Sequence, residues 1–181
     1  MKMADSQRIV APRETVWAAL NDPEVLRLSI PGCEALEKTS DTEMEATVRL
    51  KVGPVKASFA GKVTLEDLNP PESYRIVGEG SGGVAGFARG GAFVRLEEEG
   101  PDITLLHYEV DAQVGGKIAQ LGSRLIDSTA KRLAGEFFKT FSETVSAEGE
   151  TEGEELAAKT GRGWLSGMFG RKEDATDKAD A

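Results

Sequence analysis

The sequence predicts an α+β fold: a curved antiparallel sheet of about six to seven strands wrapped around a long C-terminal helix, with two short helices after the first strand. Two observations and one packing rule carry this expectation. In residues 44–52, Met44, Ala46, Val48, Leu50 and Val52 alternate with Glu45, Thr47, Arg49 and Lys51, as in a strand with one packed and one wet face. Residues 117–145 hold Ile118, Leu121, Leu125, Leu133, Phe137, Phe141 and Val145 at the spacing of one helical face. A one-sided sheet and a one-sided helix bury their faces on each other. Where the sheet is strongly curved, the space between them need not fill, which points to a container rather than a catalyst.

The elements follow in order. Residues 2–10 read as a first strand. Ala11-Pro12 opens a short helix with Pro12 at its first helical position, where a missing N–H costs nothing. Val16, Trp17 and Leu20 share its inner side. Asn21-Asp22-Pro23 starts a second short helix, an Asn/Asp cap with proline inside, through about residue 28. Ile30-Pro31-Gly32 ends it in a turn. After the strand at 44–52, Gly53-Pro54 turns the chain. Val55, Ala57, Phe59, Gly61, Val63 and Leu65 then alternate with Lys56, Ser58, Lys62, Thr64 and Glu66. Asn69-Pro70-Pro71 breaks the pattern before strands at 73–80, 87–98 and 103–114. In the last, Leu106, Tyr108, Val110, Ala112 and Val114 face one way, and His107, Glu109, Asp111 and Gln113 the other. Gly115-Gly116 releases the chain into the long helix.

Residues 1–146 thus form one domain, followed by an acidic linker at 147–158, expected to be disordered for want of apolar residues, and a tail at 159–181. The chain has 181 residues and a net charge of −9, which argues against nucleic-acid binding, since phosphate neutralisation needs a basic surface. Cys33 is alone, so no intramolecular disulfide or thiolate cluster can form. The absence of a signal-like apolar run or a span of about 18 apolar residues points to a reducing, cytoplasmic setting.

Few residues suggest chemistry. Seven glycines lie in residues 78–91, and Gly78, Gly80 and Gly83 match G-x-G-x-x-G. A dinucleotide fingerprint must open a helix, whereas the residues that follow alternate as a strand does. A glycine-rich hairpin at a cavity rim is the better reading. His107 is the only histidine and faces away from Tyr108. With Glu109 and Asp111 it reads as a solvated stripe, and neither catalysis nor metal binding is expected. Cys33 reads as an inert, partly buried thiol. Phe59, Tyr108, Leu121 and Leu125 face the interior, either as ordinary core or as a pocket wall. Small residues at inward positions (Ala46, Ala57, Gly61, Gly78, Gly80, Ala92 and Ala112) favour the latter. In the tail, Lys159, Arg162, Arg171 and Lys172 surround Trp164, Leu165, Met168 and Phe169, which fall on one side of a helix. Such a segment suits reversible contact with a membrane surface or docking on a protein partner.

The motifs Ala11-Pro12, Val16-Trp17, Leu20-Asn21-Asp22-Pro23, Ile30-Pro31-Gly32 and Val52-Gly53-Pro54, then Gly80, Gly86, Gly90, Tyr108, Val114-Gly115-Gly116 and Gly122, resemble the carbon monoxide dehydrogenase G-subunit (CoxG) family of the START-like, helix-grip superfamily. The resemblance covers about residues 1–145. It implies a hydrophobic cavity between sheet and helix. It also implies a non-catalytic accessory role beside a molybdenum hydroxylase of the carbon monoxide dehydrogenase type, at the inner face of the cytoplasmic membrane. The expected ligand is a hydrophobic small molecule such as a quinone, with no covalent cofactor. Val48, Leu50, Phe59, Gly61, Val63, Tyr108, Val110, Leu121 and Leu125 are expected to line the cavity. Arg162, Trp164, Leu165, Met168, Phe169, Arg171 and Lys172 are expected to touch the membrane. The alternatives are a membrane anchor or assembly factor with a filled core, and an enzyme that uses the cavity.

Overall fold

The computed structural model describes residues 1–146. The expected linker and tail, with Arg162, Trp164, Leu165, Met168, Phe169, Arg171 and Lys172, lie outside the described residues. Strand β1 (Lys2–Ile9) leads into helices α1 (Arg13–Leu20) and α2 (Pro23–Ser29). Then come β2 (Cys33–Lys38), β3 (Glu43–Val52), β4 (Val55–Asn69), β5 (Ser73–Ser81), β6 (Phe87–Gly100) and β7 (Ile103–Gly115). Helix α3 occupies residues 123–146. The seven strands form one antiparallel sheet in the order β1-β7-β6-β5-β4-β3-β2. Each later strand pairs with its sequence neighbour, and β1 returns beside β7.

Local chemistry sets the helix starts. The Asp22 carboxylate accepts from the Glu24 backbone N–H at 2.9 Å, with Pro23 in the first turn of α2, so one orphan donor of the helix end is satisfied. At α1, Pro12 is the cap itself, in extended backbone (φ −60°, ψ 151°), not the first helical residue as its sequence suggests. Its carbonyl still accepts from Val16 N at 3.0 Å.

Two further boundaries differ from the sequence expectation. Strand β2 shows no alternation of its own: Leu36, opposite Ala46, is its one large aliphatic residue. An edge strand with so little to bury can be polar almost throughout. The long helix also begins later than expected. Lys117–Leu121 forms a tight 3-10 turn, and Gly122, at φ +96°, breaks it from α3. A left-handed conformation at this point suits glycine, and it places Leu121 on the connection rather than the helix.

Register sorts the side chains into rows across the concave face, under α3. At one end, Ile9 with Thr104, Leu96 with Leu106, and Tyr74 with Val94 and Tyr108 are all buried. Val16, Leu20 and Val25 from α1 and α2 close this end, along with Phe141 and Val145 from α3. Four rings tie α3 down: Phe137 stacks on Phe141 (5.5 Å), meets Phe138 edge-on (5.0 Å), and Phe138 stacks on Tyr108 (5.2 Å). Trp17 of α1 meets Tyr74 edge-on at 5.2 Å. Each such large side chain contributes roughly 1.5–3 kcal/mol by leaving water. The buried Thr104 hydroxyl donates to the Ala11 carbonyl at 2.8 Å, which anchors the link between β1 and α1.

Candidate functional site beneath the long helix

Past that packed end, the concave face changes character. One row runs Met44, Val63, Gly78, Gly90, Ala112, and the next Leu36, Ala46, Gly61, Gly80, Ala88, Val114. Side chains here are short, and every member except Met44 keeps part of its surface accessible. A Cβ placed on Gly61 or Gly80 would meet only backbone atoms of neighbouring strands, with no atom of α3 within 4 Å. At these two glycines α3 makes no close contact with the sheet.

The far end is closed by loops. The Leu125 and Leu121 side chains pack on the β3–β4 turn, 2.8 and 3.8 Å from the position a Cβ would take at Gly53. Arg132 Nη2 donates to the Lys51 carbonyl at 3.3 Å and ties α3 to the same turn. The Phe59 ring covers Gly82. Gly86 and Gly116 are in backbone contact, since a Cβ at Gly116 would lie 2.5 Å from the Gly86 Cα. That approach joins the β5–β6 loop to the connection into α3.

The expected lining residues divide by position. Val48, Leu50, Phe59, Gly61 and Val63 share the concave face of β3 and β4. Val110 lies on the same face, in the row of Leu65, Ile76, Ala92 and Met3. Tyr108 belongs to the packed end, stacked on Phe138, while Leu121 and Leu125 belong to the loop end. Burial, and secondarily the charge of Asp5, pushes the Tyr108 phenol above its ordinary pKa, so it keeps its proton at neutral pH. Burial raises the Tyr74 phenol further still. Tyr74, Ile76, Phe138 and Val114 are not among the expected lining. Strand alternation points to Tyr74, Ile76 and Val114, whereas Phe138 sits one step off the apolar face and carries no such signal.

The opposite, helix-free face of the sheet bears a chain of shallow grooves. One of them, about 760 Å³, has Gly61, Gly80 and Ala88 in its floor and Glu45, Lys62, Glu79, Phe87 and Arg89 around it. The glycine-rich strands therefore thin the wall on both sides. His107 also lies on this face. Its Nδ1 bonds Ser6 Oγ at 2.6 Å and its Nε2 bonds Glu97 Oε2 at 2.9 Å. Its carboxylate partner thus comes from β6 and not from Glu109 or Asp111 on its own strand. The His107 hydrogen bond holds the Glu97 carboxyl below the usual range. Cys33 is a free, half-buried thiol that donates to the Ala35 carbonyl at 3.4 Å. Burial raises its pKa, so it stays protonated and unreactive. Among the described residues, no helix is long and apolar enough to cross a membrane.

Comparison with known proteins places this architecture. The family model for the G subunit of carbon monoxide dehydrogenase (CoxG) matches residues 6–146. A conserved protein from Geobacillus kaustophilus is similar at 29% identity and TM-score 0.77, over 81% of this chain and 96% of that one. A START superfamily protein from Mycobacterium smegmatis shares the fold at 16% identity and TM-score 0.57, covering 83% and 97%. So does an aromatase/cyclase from Streptomyces, at 12% identity and TM-score 0.57, covering 80% and 93%. No match was found among curated proteins. The fold is START-like, and the chain belongs to the carbon monoxide dehydrogenase G-subunit (CoxG) family.

Proposed function

We propose that this chain is a non-catalytic accessory subunit of a molybdenum hydroxylase of the carbon monoxide dehydrogenase type. In this reading it carries a lipophilic molecule in the hollow under α3 and brings its partner to the cytoplasmic membrane. The observation that carries the proposal is the concave surface of short side chains at Gly61 and Gly80, where a Cβ would meet no atom of α3 within 4 Å. The two small-residue rows bear no ionisable group, which favours holding an apolar molecule over acting on it. A flat ring with an isoprenoid chain suits such a space, and a membrane quinone adds the capacity to accept electrons from the partner.

Native mass spectrometry and lipid extraction of protein purified from its own membranes, followed by quinone titration, test this reading. The expected result is a co-purifying quinone that exchanges on titration. A protein that is empty in every preparation and does not bind added quinone would reject the carrier role and leave the anchor reading. Hydrolase- or cyclase-type turnover by the isolated chain would instead reject the non-catalytic role.

A further inference from the structure

Charge is divided between the two ends of the sheet. The hairpins beside the packed end are acidic: residues 39–43, 66–73 and 97–103 carry Asp41, Glu43, Glu66, Asp67, Glu72, Glu97, Glu98, Glu99 and Asp102 and no lysine or arginine. At the other end, residues 49–58, 80–90 and 112–126 contain no aspartate or glutamate. They carry Arg49, Lys51, Lys56, Arg89, Lys117 and Arg124, all exposed. None of these six enters an ion pair among the described residues. The three segments are neighbours in space, through Gly53 against Leu125 and Gly86 against Gly116. Lys51 and Lys56 sit directly opposite each other across the β3–β4 pair, an arrangement unfavourable for the fold by itself. Carboxylates border these segments at Glu79, opposite Arg89, and at Asp111 and Asp127, yet the turns themselves carry cations only in a chain of net charge −9.

An apolar tip stands among these cations. Val84 is 96% exposed on the tight turn Gly83–Ala85, while its neighbour Ala85 is buried. Phe87 is 39% exposed beneath the Arg89 guanidinium, 5.8 Å from the ring centroid. A single protruding valine at the end of the sheet that carries these cations offers no groove to seat a helix or strand. It does match a plane of phosphates with hydrocarbon behind it.

We infer that this loop end is the face by which the folded domain rests on an anionic lipid bilayer, with Val84 entering the interface and the six cations against lipid phosphates. The inference deepens the proposed function and rests on its membrane reading. It adds a docking surface within residues 1–146, separate from the tail.

The test uses the full 181-residue chain in every variant, so that any contribution of residues 147–181 stays constant. Co-sedimentation is measured with vesicles of phosphatidylglycerol and phosphatidylcholine, and with phosphatidylcholine alone. Lys51→Glu/Lys56→Glu is expected to weaken partition into the anionic vesicles at least roughly tenfold, and Val84→Asp by roughly tenfold. Unchanged partition in both variants would overturn the inference. A second readout is local: an environment-sensitive dye on Val84→Cys, in a Cys33→Ser background, is expected to shift to the blue with anionic vesicles only. An unmoved spectrum would overturn the inference too. So would capture of the wild type by an acidic polyglutamate peptide, lost in Lys51→Glu/Lys56→Glu, together with no vesicle binding; the partner would then be an acidic protein. Quinone titration in detergent separates this inference from the carrier reading. Variants that no longer dock but still load quinone support both, whereas a wild type that docks through Val84 yet never loads quinone refutes the carrier alone.

Discussion

Gly80 shows how much a missing side chain can decide. A Cβ there would make only ordinary contacts, 3.6 Å from the Ala60 carbonyl oxygen and 3.8 Å from the Gly61 Cα, so the backbone accepts a side chain at this position. Gly80→Leu is therefore expected to leave the melting temperature within a few degrees of wild type while weakening quinone binding at least roughly tenfold, as steric filling of a pocket does. Equal quinone affinity in this variant would show that the ligand sits elsewhere. Tyr74 makes a different point. Its phenol is raised by burial, so the unfolded chain releases that proton first as pH climbs. Stability is complete below the ordinary tyrosine pKa and falls above it, by about 1.4 kcal/mol per pH unit while only the unfolded state is ionised. Urea midpoints between neutral pH and about pH 11 should fall more shallowly in Tyr74→Phe than in wild type. Alternation makes Tyr74 legible as an inward residue. Its burial is not legible, because that depends on Trp17 arriving from α1, a contact no local pattern encodes.

At the scale of elements, most boundaries are readable because one face of each is both continuous and apolar. Strands β3, β4 and β7 alternate so cleanly that register follows from them, since a slip of one residue would expose the whole apolar set. Strand β2 escapes for the opposite reason, with Leu36 nearly alone on its buried side. The start of α3 is misread because Ile118 and Leu121 continue the helical spacing through a 3-10 turn, and periodicity cannot register a backbone break at Gly122. The candidate site is legible as a set of inward positions, but the space over them depends on how far α3 stands from the sheet. Two substitutions probe this level. Asp22→Ala removes the α2 cap and should cost about 1 kcal/mol. Phe141→Ala, at 0% exposure, should cost about 3–5 kcal/mol in denaturant unfolding. A loss for Phe141→Ala no larger than that for Asp22→Ala would show that α3 is not anchored by its ring stack.

For the whole molecule, the sheet combines two regions on one scaffold, a dense end of buried aromatic and aliphatic side chains and an end of short side chains at Gly61, Gly80 and Ala88. This division predicts linkage. A quinone that binds only the folded state should raise unfolding free energy by about 2.7 kcal/mol at a hundredfold excess over its Kd, seen as a concentration-dependent rise in melting temperature. The gain should fall to about half or less in Gly80→Leu at the same quinone concentration. The same sparse end has an optical and spectroscopic corollary. Gly61, Gly80 and Ala88 belong both to the inner row and to the floor of the outer groove, so a single peptide layer parts the interior from solvent. Ring currents of an aromatic guest would reach those amides unshielded by any bulky group. Their NMR resonances should then report, from outside the barrel, whether it is full or empty.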